Sequence, residues 1–118
     1  MIPTLLSLAA LLLPTAAPAP SPARVQVAAD EFHYALSRST VRSGLAILEL
    51  VNFGEDEHDL SLRRIGGTRT YRIGAVRPGR LSRLETRLAP GRFVLWCSLA
   101  DHRSRGMTAR LTVRPRTG

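Results

Sequence analysis

From Val25 onward, apolar side chains recur at every second position in short runs separated by turn formers. Val25 and Val27 flank Gln26, and Phe32, Tyr34 and Leu36 follow with the same period. Residues 45–51, Leu-Ala-Ile-Leu-Glu-Leu-Val, carry the pattern of a largely buried strand that stops at Asn52 and Gly54. Leu60 and Leu62 begin another strand, Gly66-Gly67 breaks the chain, and Tyr71 and Ile73 resume the alternation. Pro78-Gly79 and Pro90-Gly91 mark two further turns, and 93–96 and Leu111/Val113 complete the set. Residues 37–44 read as a turn. Leu81, Leu84 and Leu88 are spaced closer to a helical period, which leaves that segment open between strand and helix. Short apolar strands punctuated by Gly and Pro predict an all-β sandwich or barrel. Side-chain parity then places Cys97 on the face of Phe93 and Leu95, and His58 on the face of Leu60 and Leu62. Met107 has the parity of Leu111 and Val113.

The first 23 residues follow a different rule. Residues 2–13 are apolar or small and 14–22 are rich in Ala and Pro. The apolar run is too short to span a bilayer comfortably. It fits the central region of a secretory signal, and Ser21-Pro22-Ala23 fits a small-x-small cleavage site, although no Lys or Arg precedes the run. The expected division is a signal over 1–23 and one folded domain over 24–118. The chain is then exported, to the periplasm or the cell exterior. No other segment is apolar enough to span a membrane.

Charge adds a second constraint. All 17 basic residues are arginine, against nine acidic ones, for a net charge of +8. The arginines are spread along the chain rather than gathered in a tail. No groove-reading motif accompanies them, so nucleic acid is not an expected partner. A well-solvated surface accounts for them, with steering toward acidic proteins as the functional reading.

The chemistry lies in Cys97, His102 and Met107, spaced Cys-x4-His-x4-Met at the end of an apolar run. Cys97 is the only cysteine, so no internal disulfide can form. A lone buried thiol is usually inert packing. Here it shares a short segment with an imidazole and a thioether, which together make a soft donor set. A second imidazole is available at His58. Two His, one Cys and a weak axial Met suit an electron-transfer copper site. His33 faces away from its aromatic neighbours and is read as a surface residue.

These residues and their surroundings resemble the cupredoxins, the small blue copper proteins, from about Val25 to Val113. The resemblance rests on Glu31-Phe32, Asn52-Phe53-Gly54 before His58-Asp59-Leu60, Pro90-Gly91-Arg92-Phe93 leading into Cys97, and Gly106-Met107. The Cys-to-His spacing is similar to that of the rusticyanin and sulfocyanin type. The resemblance implies a Greek-key β-sandwich of seven or eight strands. It implies one copper ion held by His58, Cys97 and His102, with Met107 as the weak fourth ligand. Single-electron transfer follows from it, with no enzymatic activity. Asp59 stands where plastocyanins and azurins carry an Asn that ties the ligand loops together; an amide hydrogen bond to Asp59 would serve instead. The expected partners are redox proteins, with an acidic docking surface matched to Arg103 and Arg105, and the carrier is expected to be a monomer. The alternatives are copper storage or delivery, and a metal-free interaction module.

Overall fold

The computed structural model describes residues 1–117. Nine strands follow one another without a helix: β1 (Ala23–Asp30), β2 (His33–Leu36), β3 (Thr40–Arg42), β4 (Gly44–Asn52), β5 (His58–Arg64), β6 (Thr70–Val76), β7 (Leu81–Leu88), β8 (Gly91–Trp96) and β9 (Thr108–Arg114). They form two sheets, ordered β2-β1-β4-β7 and β3-β9-β8-β5-β6. Residues 1–22 carry no regular structure, and Leu5, Leu6, Leu8, Leu11, Leu12 and Leu13 are 77–94% exposed. The expected boundary after residue 23 falls one residue into β1, where Ala23 is buried and paired with Ala46. Among the described residues no helix is long and apolar enough to cross a membrane.

The sandwich follows from the alternation. In β1, Ala23, Val25, Val27 and Ala29 point inward while Arg24 and Gln26 face water. Strand β4 contributes Ala46, Leu48 and Leu50 to the same face. Opposite them stand Leu60, Leu62, Phe93, Leu95, Leu111 and Val113 from the five-stranded sheet. Each sheet has one apolar face, and stacking the two faces removes both from water.

Two segments depart from the sequence pattern. Leu81, Leu84 and Leu88 lie on a strand, β7, paired antiparallel with β4 from Gly44↔Leu88 to Val51↔Leu81. There Ser82, Leu84 and Thr86 turn partly inward, so the mixed polarity of an edge strand imitated a helical period. The turn expected over 37–44 contains β3, whose three residues run parallel to the end of β9. Three residues are too few to show an alternation. With β3 included the strand number is nine rather than seven or eight.

The topology brings one set of strand ends to a common pole. The ends of β1, β4, β6 and β8 and the starts of β2, β5, β7 and β9 meet there. His58 opens β5, Cys97 follows β8 and Met107 precedes β9. The core beneath them is tightly filled, so Leu48→Ala is expected to cost about 2–5 kcal/mol in urea unfolding. Leu45→Ala, on the exposed face of the same strand, is expected to cost less than about 1 kcal/mol.

Candidate metal centre

His58, Cys97 and His102 converge at this pole. One donor atom from each lies within 4.8 Å of the other two. His58 and Cys97 are fully buried and His102 is 7% exposed. The imidazole rings lie 5.0 Å apart between centroids and 54° from coplanar. Cys97 Sγ is 3.5 Å from His102 Nδ1. Met107 is fully buried beside them, and its main chain is part of the same unit: Cys97 N–H donates to Met107 O at 3.2 Å, and Met107 N–H donates to His102 O at 3.1 Å. His33 is exposed on β2, as its parity predicted.

The histidines are oriented by what holds their outer nitrogens. His58 Nε2 is 3.2 Å from Glu31 Oε1. Its Nδ1 is buried and has no hydrogen-bond partner. An unpaired polar atom in the interior is costly unless something fills its coordination. His102 Nε2 lies within ion-pairing range of Asp56 Oδ2, at 3.6 Å. Both rings therefore have Nε2 near a carboxylate. Nδ1 of His102 faces the sulfur, and Nδ1 of His58 is the buried, unpartnered atom. A carboxylate on the outer nitrogen favours N–H there and leaves Nδ1 as a free lone pair.

Three side chains fix the loops that carry these donors. Glu31 Oε1 accepts the N–H groups of Glu55 at 2.7 Å and Asp56 at 2.6 Å. Gly54 makes this possible: a Cβ there would fall 2.4 Å from Glu31 Oε1. Asn52 spans the same loop, donating from Nδ2 to Asp56 O at 2.7 Å and Val76 O at 2.9 Å, and accepting Gly54 N–H at 2.8 Å. Asp59 accepts the Ser98 N–H at 2.7 Å and the Ser98 hydroxyl, tying the start of β5 to the segment after Cys97. The buried Tyr34 hydroxyl donates to Asp59 O. Burial, then the proximity of Cys97 and Asp59, push that phenol above its ordinary value, so it remains a donor.

The loop between Cys97 and Met107 is braced from within. His102 N–H donates to Leu99 O, and Arg105 pairs with Asp101 at 2.7 Å. That ion pair lowers the Asp101 carboxyl and raises the Arg105 guanidinium. Phe32 packs on the His102 ring at 4.9 Å between centroids, and the Arg105 guanidinium lies 4.9 Å from the Phe32 centroid. Trp96 points away from the cluster and lies under Arg103 and Arg63, at 4.7 and 5.7 Å.

The donor set fits a soft metal ion. Burial raises the Cys97 thiol, and the backbone N–H groups of Asp59 and Leu99 act against that rise. A cation among the donors would favour the thiolate further. Cys97 is fully buried, so its sulfur is shielded from solvent.

The sequence singled out His58, Cys97 and His102, which the fold brings together, and an amide hydrogen bond to Asp59. It missed the work of Glu31 and Tyr34. Tyr34 was placed inward by its period, but nothing local showed that its hydroxyl would meet Asp59, 25 positions away. Asp56 and Ser98 carry no sequence signal at all.

No protein-family profile and no curated relative matches the sequence. Solved structures do match. Auracyanin from Roseiflexus castenholzii superimposes with a TM-score of 0.66 at 16% identity, over 81% of this chain and 100% of that one. Auracyanin A, a "blue" copper protein from Chloroflexus aurantiacus, gives a TM-score of 0.64 at 11% identity, over 80% and 100%. A multicopper oxidase matches with a TM-score of 0.61 at 14% identity, over 80% of this chain but 45% of the larger protein.

Glu31 generates a pH prediction. Its carboxyl is held at about 2, against an ordinary value of 4.5, by the Asp56 amide first, with the Glu55 amide and His58 acting the same way against a burial effect that raises it. A lowered folded value stabilises the fold above the unfolded value and loses that stabilisation as the pH falls toward the folded one. Metal-free protein is therefore expected to lose unfolding free energy as the pH falls from about 4.5 toward about 2. In Glu31→Gln that loss should be smaller, with the two proteins converging at low pH in urea titrations.

Two stacked sheets of nine strands, with a His-Cys-His cluster at one pole and matches to two auracyanins over their whole length, give this chain the cupredoxin fold.

Proposed function

We propose that the chain is an exported carrier of single electrons, with one copper ion held by His58, Cys97 and His102 and a weaker contact from Met107. The observation that carries this reading is the buried, unpartnered Nδ1 of His58, set in a cluster whose donors lie within 4.8 Å of one another. A metal-free interaction module has no use for that atom. Bound there, copper supplies a one-electron couple between Cu(I) and Cu(II).

The protein's own part is to hold the donors still. Glu31, Asn52 and Asp59 anchor them to main-chain groups on both sheets, so the geometry need not change when charge arrives. Burial keeps water and substrates away from the thiolate, which favours electron transfer over catalysis. It also disfavours storage or delivery, which need an exchangeable site. His102 is the donor nearest the surface, and its ring edge beside Phe32 is the proposed route for the electron. Export is supported by the apolar 2–13 segment and the Ala- and Pro-rich stretch that follows it. The cluster is complete within one chain, which suits a monomer.

The docking partner is a redox protein. Arg103 and Arg105 suggested an acidic one, but the charges at this pole favour the opposite sign. Arg105 is spent on Asp101 and Arg103 lies over Trp96. Asp30, Glu31, Glu55, Asp56, Glu57, Asp59 and Asp101 all sit at this pole. Only Arg77, Arg80, Arg103 and Arg105 oppose them. A basic docking patch is the better complement.

Adding Cu(II) stoichiometrically is expected to produce an intense visible band that is lost in Cys97→Ser and bleaches reversibly on reduction. Failure to bind copper in a folded protein would leave the interaction-module reading, and rapid loss of copper to a chelator would favour delivery. Met107→Gln, which offers an oxygen in place of sulfur, should lower the reduction potential by one to two tenfold steps, roughly 60–120 mV, in voltammetry.

A further inference from the structure

The two poles of the sandwich carry opposite charge. Arg24, Arg38, Arg42, Arg114 and Arg116 gather at the end remote from the donors. Four of them, Arg24, Arg38, Arg42 and Arg116, line a single open cleft with residues 21–23. Arg64, Arg69, Arg87 and Arg92 extend the same end along the neighbouring strand termini. No Asp or Glu occupies the strand ends or turns of this pole. Among the described residues, the arginines paired with a carboxylate are Arg77, Arg83 and Arg105, and none of these is at this end.

The framework beneath the arginines is fixed. Arg116 Nε donates to Ser43 O at 2.8 Å, and Arg42 Nη1 donates to Pro115 O at 3.3 Å. These bonds pin the chain after β9 against the turn between β3 and β4. The arginines are all exposed, and a guanidinium offers a planar fork of N–H donors suited to phosphate oxygens.

The position of the N-terminal segment identifies the surface they meet. Ser21 and Pro22 form one wall of the arginine-lined cleft, so the exposed leucines of 2–13 join the body at this end. An apolar segment beside a polybasic patch is a two-signal attachment to a lipid surface. Where the segment is retained it brings this pole to the bilayer; where it is removed at residue 23 the arginines alone make the attachment. After removal, the new α-amino group on Arg24 would add to the patch.

We propose that the arginine pole is a foot that docks on an anionic lipid bilayer. β1 has eight residues, so its length separates the foot from the donor pole by roughly 25 Å. Docked this way, the acidic donor pole faces away from the anionic surface. Lipid binding is independent of the metal; only the benefit of presenting the donor pole outward rests on the electron-carrier reading.

The test is vesicle co-sedimentation of the full chain, metal-free and copper-loaded, on phosphatidylcholine alone and on phosphatidylcholine with phosphatidylglycerol. Binding should require phosphatidylglycerol, weaken with salt and be equal in the two metal states. Replacing Arg24, Arg38, Arg42 and Arg114 together by Gln should weaken it by about fivefold per arginine. The same number of changes elsewhere, Arg72, Arg80, Arg83 and Arg110→Gln, should weaken it far less. Far-UV circular dichroism of each metal-free variant shows that the fold is kept. Trp96, the only tryptophan, lies at the donor pole, so brominated phosphatidylglycerol should leave its emission in the metal-free protein unquenched. Equal losses in the two variants would reduce the effect to net charge and overturn the proposal. So would equal binding to uncharged vesicles, quenching of Trp96, or preference for a nucleic acid or acidic polysaccharide over the lipid at the same salt. Failure of copper binding with lipid binding intact would sink the carrier reading and leave the foot standing.

Discussion

The interaction on which the site depends is the pair of hydrogen bonds from Ser98 to Asp59. Asp59 follows one histidine and Ser98 follows the cysteine, so a single carboxylate joins two segments 39 positions apart. The ladder between β5 and β8 stops at Ser61↔Trp96, so beyond it these bonds continue the tie between the two segments up to the pole. The ladder and the core fix the strands below, but they are indifferent to small movements of the segments beyond the last pair. A directional bond to a main-chain N–H is not. Tyr34, donating to Asp59 O from the first sheet's edge strand, extends the tie across the sandwich.

Glu31 plays the matching part on the other side. Its carboxylate reads two consecutive N–H groups and one imidazole. This is a small anion-binding nest occupied by the protein's own side chain. Gly54 leaves room for it, which explains the glycine without any appeal to backbone freedom. The two carboxylates thus orient the donors from opposite sides. Their own negative charge is partly neutralised by main-chain dipoles rather than by arginine. The arginines are left to the surface.

Much of this was legible in the chain because it depends on parity. Cys97, His58 and Met107 each lie in phase with a row of core residues, and a strand obeys that phase wherever it is placed. That these side chains face inward at strand ends could therefore be read before the topology was known. The contacts that stiffen the cluster could not. Glu31 to Asp56 and Tyr34 to Asp59 are joined by topology, and no period in the sequence encodes a partner on another strand. β7 was ambiguous for a local reason: an edge strand with one face in water is free to mix Ser, Thr and Leu. β3 was hidden because three residues cannot display a pattern. The direction of the charge asymmetry was hidden too, since arginines scattered in sequence collect at one end only after folding.

Strand β7 has a consequence of its own. It is the margin of the four-stranded sheet opposite β2, and its outward side chains include Arg83, Glu85 and Arg87. A second copy approaching that margin would have to strip water from these charges before any main-chain bonds could form. Such a border keeps colliding copies of the chain from joining along this margin. On this side, hydration of charge rather than bulk guards the sheet against extension.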